Sequence, residues 1–412
     1  NNFDADTGFA AGAAQTVITK SGTNNFRGSA FWFFNRDKFN ANSFYNNAFS
    51  IAKPARTLDI TGGTLGGPIL KEKLFFFQSY ELFHDRRPGT YVYSVPTDKM
   101  RNGDFTEVAA KYTTFKLYDP ATGGTDASKR TLFSNFTIPS NRIDAVAKRI
   151  MALYPPVNST LDLNSNLILD DYSLLRPGVQ NDRHNFDTKI TWQRSTSHAI
   201  WGKFSALKAD VVDNYNLGWE NGSNGDTNVY MISVGHTWTL SPTLLLDGNF
   251  GYYRFNQVVL GPDYGKNYGL DLGIPGTNDP KDIRASGMPT IANGYTIGGT
   301  PSWMPLFRHE FNYSFSSALT KVLPKHELKT GLQVVKLRLD HRQAEWGPYG
   351  LRGGLSFSNN LTAAPGYISP GWNNFAGFLL GLSDSFAKDT QTEEMTGREW
   401  QWGIFVSDRW RA

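Results

Sequence analysis

The chain has 412 residues, 40 of them glycine, with 14% aromatic residues, no cysteine and a formal charge of +4. That length suits one large domain or two to three ordinary ones; the lack of cysteine excludes disulfide scaffolds and Cys-based metal or redox sites, and basic residues scattered singly leave no footprint for nucleic acid. No apolar run approaches the roughly 18 residues a membrane helix needs, so a membrane protein with this mean hydropathy of −0.40 has to be a barrel, in which only every second residue meets lipid.

In chain order, residues 1–24 contain the small-residue run from Gly8 to Ala14 and then a short strand, 15–24, ended by a polar turn. The next strand sets Phe26, Gly28, Ala30, Trp32 and Phe34 on one face. An Asn-rich loop, 37–54, leads to a second strand, 58–67, whose Gly62, Gly63, Gly66 and Gly67 allow close backbone approach or bulging. Lys71-Glu72-Lys73 makes a short turn into a third strand, 74–83, expected to run on through Tyr91 and Tyr93.

Residues 98–177 break the pattern. They hold one helical segment, with Ile143, Val146, Ala147, Ile150 and Leu153 on one face, Asn141 as expected N-cap and Pro155-Pro156 as the stop. A loop of this length with its own helix is usually functional.

Alternation then becomes regular. Phe186, Thr188, Ile190 and Trp192 oppose Asn185, Asp187, Lys189, Thr191 and Gln193; Ile200, Gly202, Phe204 and Ala206 oppose Lys203 and Ser205. Tyr230, Ile232, Val234, His236 and Trp238 oppose Met231, Ser233, Gly235, Thr237 and Thr239, and Leu244, Leu246, Phe250 and Tyr252 oppose Asp247, Asn249 and Gly251. Tight turns fall at 194–197 and 240–243, whereas 208–227, rich in Asp, Asn and Gly, reads as a long loop. After another long loop, 261–302, a strand carries Phe311, Tyr313, Phe315, Ser317 and Leu319 on one face and turns at Leu323-Pro324-Lys325. In the following strand the apolar register runs Leu328, Thr330, Leu332, Val334 and then shifts to Leu337 and Leu339, which predicts a β-bulge at Val334-Val335. Further strands are expected at 351–357, 385–394 and 398–410, with a short helix or turn at 374–382 capped by Asn373 or Asn374. Trp400, Trp402, Ile404 and Val406 share the outward face of the last one.

Short and long connections alternate, as periplasmic turns and extracellular loops do in outer-membrane barrels. The fold class is therefore all-β: a partial antiparallel transmembrane barrel of about twelve strands with long outer loops. Trp32, Trp192, Trp238, Trp400 and Trp410 lie near strand ends on the apolar register and fit two aromatic girdles. Arg254 falls on that same register; at the midplane it would cost about 2–4 kcal/mol, so it is expected above the outer girdle.

No nucleotide-binding, hydrolase or zinc-protease motif is present, so no enzyme, cofactor or metal site is read from the sequence. His236 reads as an interface histidine, and Asp98, Asp104, Asp119 and Asp126 lack the spacing of a calcium loop. Two sets of residues could contact a ligand. One is the lumen-facing polar set: Arg27, Glu81, Asp187, Lys189, Lys203, Asp247, Glu327, Lys329 and Gln333, which could equally bond lumen water or a plug. The other is the outer-loop aromatics Tyr215, Trp219, Tyr295 and Trp303, suited to sugars or peptides but also to loop packing.

The run from Thr16 to Gly28, TVITKSGTNNFRG, resembles the plug-to-barrel junction of TonB-dependent outer-membrane receptors, most closely the Oar-like group, whose members often carry a carboxypeptidase-regulatory-like domain. Similar stretches follow in order: Gly63 to Ile69 with Lys73 to Phe77; Ile138-Pro139 through Arg142-Ile143-Asp144 to Leu153-Tyr154-Pro155; and Phe375 to Leu382 followed by Gly403 to Trp410. The resemblance implies a Gram-negative transporter in the outer membrane, coupled to the TonB complex, that takes up a small ligand such as an oligosaccharide, peptide or siderophore. It also implies that residues 1–24 end a plug domain and 25–412 form the N-terminal half of the barrel, so the chain is expected to be a fragment. Two rivals stand beside it: an outer-membrane adhesin or assembly protein on the same scaffold, and a soluble all-β carbohydrate-binding protein with its aromatics in one cleft.

Overall fold

A computed structural model describes residues 18–48, 50–158, 171–295, 300–344, 349–390 and 393–410; the Gly8 to Ala14 run and residues 15–17 of the expected first strand lie outside them. The described part of that segment, 18–24, is not a strand. No described helix is long and apolar enough to cross a membrane.

In chain order the strands are β1 Arg27–Arg36, β2 Thr57–Leu70, β3 Leu74–Arg86, β4 Gly89–Tyr93, β5 Tyr172–Arg176, β6 Gln180–Ser195, β7 His198–Asn216, β8 Glu220–Ser241, β9 Leu244–Leu260, β10 Thr290–Ala292, β11 Leu306–Val322, β12 His326–Gln343, β13 Gly354–Ser356, β14 Ser385–Ala387 and β15 Met395–Trp410. One 10-stranded sheet runs β1-β2-β3-β6-β7-β8-β9-β11-β12-β15, with every pair of neighbours antiparallel. The turns β2–β3, β6–β7, β8–β9 and β11–β12 are short and share one end, and all the long connections share the other. This is the asymmetry that the sequence carries.

Cross-strand partners share a face, so register alone sorts the side chains. A contiguous outward face carries Trp32, Phe76, Tyr80, Phe186, Ile190, Ile200, Phe204, Ile232, Val234, Phe250, Phe315, Leu332, Trp402 and Ile404. Many of them are exposed in the protein alone, Trp402 to 71% and Ile404 to 73%. A water-filled environment would penalise that face; a bilayer solvates it. Trp32 and Trp400 lie near the long-loop end of the belt, and Trp192, Trp238 and Trp410 near the short-turn end, giving the two expected girdles.

Several expectations are corrected. No bulge occurs at Val334-Val335, which pair in unbroken register with Phe315 and Ser314. The apolar side switches because the strand leaves the membrane: Lys336 and Arg338 take the outward face and Leu337 and Leu339 the inward one. Register shifts occur instead beside the short turns, at 68–70, 193–195 and 239–241. The Asp- and Asn-rich 208–227 is mostly hairpin rather than loop, since β7 and β8 stay paired out to Asn216 and Glu220. Polar strand composition is tolerated because Asn214 bonds Asn224 at 2.8 Å and the tip, Leu217 and Trp219, is buried. The third strand stops at Arg86, where Arg87-Pro88 interrupts it, and Tyr91 and Tyr93 belong to the separate β4–β5 pair. The segments expected as strands at 351–357 and 385–394 supply only β13 and β14 of a small sheet with β10, outside the barrel wall.

Helix ends also differ. The helix Ala145–Met151 is capped by Asp144, whose carboxylate accepts from Val146 N at 2.7 Å and Ala147 N at 3.0 Å, and Asn141 lies in a preceding turn. The helix Asn373–Leu379 starts after Trp372 at φ 71° without a side-chain cap, because the Asn373 amide is committed to Lys116 O and Thr362.

The hydrophobic core lies outside the wall. Phe105, Phe115, Leu117, Ile138, Ile150, Tyr154, Trp219, Met288, Tyr295, Phe375 and Phe378 pack together from connections that are far apart in sequence. Backbone bonds knit them: Asp144 N to Leu379 O at 2.8 Å and Tyr118 N to Thr362 O at 2.9 Å, with Arg149 Nε donating to Leu272 O at 2.9 Å. The long connections after β3, β9 and β12, with the β7–β8 tip, thus form one folded outer body.

Candidate functional site

The inward face is built by the residues that alternate with the belt. Arg27, Glu81, Asp187, Lys189, Lys203, Asp247, Glu327, Lys329 and Gln333 all fall on this face, as the register shows. They do not converge on one point. Lys189 and Lys203 are direct cross-strand partners, a like-charge pair that needs compensation. Asp187 supplies it: Lys203 Nζ lies 3.1 Å from its Oδ1, which also accepts from Ser205 Oγ at 2.5 Å. Glu81 accepts from Asn185 Nδ2 at 3.3 Å, with Arg183 at 3.6 Å. Asp247 accepts from Thr237 Oγ1 at 2.7 Å, and Glu327 meets Arg409 at 3.8 Å on the far strands. Lys329 faces Thr320 and Ser407, Gln333 faces Ser316 and Gly403, and Arg27 faces Gly66.

Glu81, Asn185, Asp187, Lys203 and Ser205 line a groove of about 430 Å³, with Phe31 and Met231 as its apolar wall. Alternating donors and acceptors beside flat apolar surface suit hydroxyl- and amide-bearing molecules. No metal-binding cluster occurs among the described residues.

The segment before β1 lies against this same face. Lys189 Nζ donates to Thr19 O at 3.3 Å, and Thr191 Oγ1 bonds Ser21 Oγ at 3.4 Å. Gly22 is wedged so closely that a Cβ would stand 2.2 Å from Phe76 O and 2.7 Å from Gly67 O. Asn24 Oδ1 accepts from Glu72 N at 2.6 Å, tying the segment to the β2–β3 turn. The chain therefore reaches β1 from inside the wall, at the short-turn end.

The outer-loop candidates divide. Trp219 and Tyr295 are core residues, only 1% and 6% exposed, so they are corrected as direct ligand contacts. Trp219 Nε1 donates to Asn221 Oδ1 at 2.9 Å and its ring meets Tyr154 edge-on. Tyr295 Oη donates to Met100 Sδ at 3.1 Å, and burial pushes the phenols of Tyr154 and Tyr295 well above their ordinary value. Tyr215 is half-buried and stacks on Tyr93, with the Arg176 guanidinium 3.6 Å above its ring and 4.3 Å from Tyr91. Arg176 also pairs with Asp213 at 2.6 Å, so this cluster fastens β5 to the β7 tip. Trp303 is half-buried. Reading the sequence missed the first outer loop: Phe39, Phe44 and Tyr45 are exposed there, beside a groove of about 960 Å³ lined by Asn40, Asn42, Asn46, Lys53 and Tyr91. Its run of asparagines was the available signal.

With an apolar belt outside, a polar face inside and every long loop at one end, comparison with known proteins becomes decisive. The outer membrane beta-barrel domain family matches residues 18–412. The chain belongs to that family. As an outer-membrane barrel protein it sits in the outer membrane with its belt in lipid, which removes the soluble carbohydrate-binding alternative. Among solved structures, it is similar to the outer membrane transporter YddB from Escherichia coli, at 9% identity and a TM-score of 0.43, over 94% of this chain and 37% of that one. It is likewise similar to a mutant of the ferric enterobactin receptor PfeA from Pseudomonas aeruginosa, at 10% identity and 0.41, over 95% of this chain and 38% of that one. The barrel chain thus spans less than two-fifths of either. No curated protein matches it.

Proposed function

We propose that this chain is part of a TonB-dependent receptor of the Oar-like group, comprising the end of a plug domain (1–24) and the first half of the barrel (25–412). The observation that carries the reading is the segment 18–24. It contacts the inward face through Thr19, Ser21 and Gly22 before turning into β1, as a chain leaving a plug inside the lumen has to do. The open sheet supports the second half of the reading. β1 and β15 are its edges, and in lipid unpaired backbone groups are tolerated only when further strands close the barrel.

In this mechanism the outer body captures a small ligand, with the exposed aromatics and asparagines of the first loop and Tyr215 and Trp303 as contact candidates. Energy transmitted by the TonB complex then rearranges the plug. The ligand passes along the inward face, where Glu81, Asp187, Lys203 and their neighbours offer exchangeable hydrogen bonds. An oligosaccharide, a peptide and a siderophore all suit such surfaces. The test is site-specific photo-cross-linking in cells between the complete protein's N-terminal part and TonB. The expected result is a cross-link that strengthens when ligand is added. Its absence, in a correctly inserted protein, would favour an adhesin or assembly role on the same scaffold.

A further inference from the structure

On the outward face, just beyond the apolar belt, basic residues gather on adjacent strands. Arg254 of β9 pairs with Phe311 of β11, Phe311 with Arg338 of β12, and Arg338 with Arg398 of β15. One step nearer the belt, Lys336 pairs with Trp400. Each of Arg254, Lys336 and Arg398 is the first outward residue past the belt on its strand, following Tyr252, Val334 and Trp400. All of this lies toward the long-loop end, at the outer leaflet.

The arrangement holds like charges together. The guanidinium carbons of Arg254 and Arg338 stand 5.5 and 5.4 Å from the same Phe311 ring centroid. Lys336 Nζ is 4.9 Å from the Trp400 ring. The carboxylate facing them is Asp340, and it is divided between Arg338, at 2.9 Å, and Arg398, at 2.5 Å. The other groups on the adjoining step are His309 and Asn256, neither of which carries negative charge. The cations thus outnumber the acid, at a depth where a lipid's phosphate lies directly above its chains. Below them the wall is apolar, with Tyr252 and Tyr313 at 5.1 Å, then Phe250, Phe315, Val334 and Trp402.

We propose that Arg254, Lys336, Arg338 and Arg398 form a docking site for the phosphate of an outer-leaflet lipid whose acyl chains lie along the belt beneath. Guanidinium groups bind phosphate oxygens through paired hydrogen bonds, and a bound phosphate relieves the repulsion over Phe311. The continuous cationic and apolar surface selects a phosphorylated lipid over a free anion, because only the lipid satisfies both parts.

The test places the complete protein in phosphatidylcholine nanodiscs and titrates diphosphoryl lipid A, read by native mass spectrometry, with heat-modifiable gel mobility reporting the fold. Discrete lipid A adducts are expected. Arg254→Gln with Arg338→Gln should weaken them by about 25-fold, about fivefold for each charge removed, while Arg254→Lys with Arg338→Lys keeps most of the binding. Unchanged binding by the folded Gln variant overturns the proposal. So does equal binding of dephosphorylated lipid A by the unaltered protein, a comparison that stands if the variant fails to fold.

Discussion

Asp119 and Arg142 illustrate how single residues hold the outer body together. Both terminal guanidinium nitrogens of Arg142 donate to the Asp119 carboxylate at 2.9 Å, joining two parts of the long connection between β3 and β6. The Arg142 hydrogen bond holds the Asp119 carboxyl below its ordinary value of 3.8 despite partial burial. A depressed carboxyl stabilises the folded state above its unfolded value, and that contribution is lost as pH falls through the folded one. The outer body should therefore lose protease resistance below about pH 4. Asp119→Asn should be less resistant at neutral pH and show a weaker acid dependence. Limited proteolysis from pH 3 to 7, with an acid-stable protease, checks both. Neither partner could be matched from the sequence, because an Asp and an Arg that far apart carry no pairing signal. Trp219 was hidden for a similar reason: a polar, Gly- and Asn-rich neighbourhood reads as loop, and its burial rests on contacts with distant segments such as Tyr154.

At the scale of elements, the wall is governed by depth. Val234 lies in the middle of the β8 belt, between Tyr230 and Trp238, with Gly202 and Phe250 beside it. Val234→Arg should destabilise the inserted barrel by about 2–4 kcal/mol, whereas Tyr230→Arg at the outer border should cost about 0–1 kcal/mol. Urea titration of the complete protein refolded into lipid vesicles separates the two. Strands in the belt were legible because alternation is a local property, written at every second residue in runs such as Phe186 to Trp192 and Tyr230 to Trp238. The same logic misled at Val334-Val335. There a change of environment at the membrane border, rather than an extra residue, reversed which side is apolar. The strands expected at 351–357 and 385–394 shrink to Gly354–Ser356 and Ser385–Ala387, because neither segment carries an alternation long enough to tell a barrel strand from a small loop sheet.

At the scale of the molecule, two kinds of burial divide the work. Lipid covers the outward face of the sheet, and a conventional core, centred on Phe105, Tyr154, Trp219, Tyr295 and Phe375, holds the long connections together outside it. A wall facing lipid and a structured outer body suit a protein that presents a rigid surface to the exterior. The inward candidates were placed by register alone, whereas the burial of Trp219 and Tyr295 was not legible, since which loop rings stay free depends on contacts between distant segments. The most direct measurement is a single-cysteine scan of β8 from Tyr230 to Thr239 in native outer membranes, in a protein otherwise free of cysteine. Each site is reacted with a membrane-impermeant maleimide and, separately, with a lipid-soluble thiol reagent. The account predicts strict alternation: Ile232, Val234 and His236 variants react from lipid, and Met231, Ser233 and Gly235 variants from water. Uniform labelling by the water-soluble reagent along the strand would contradict the barrel itself.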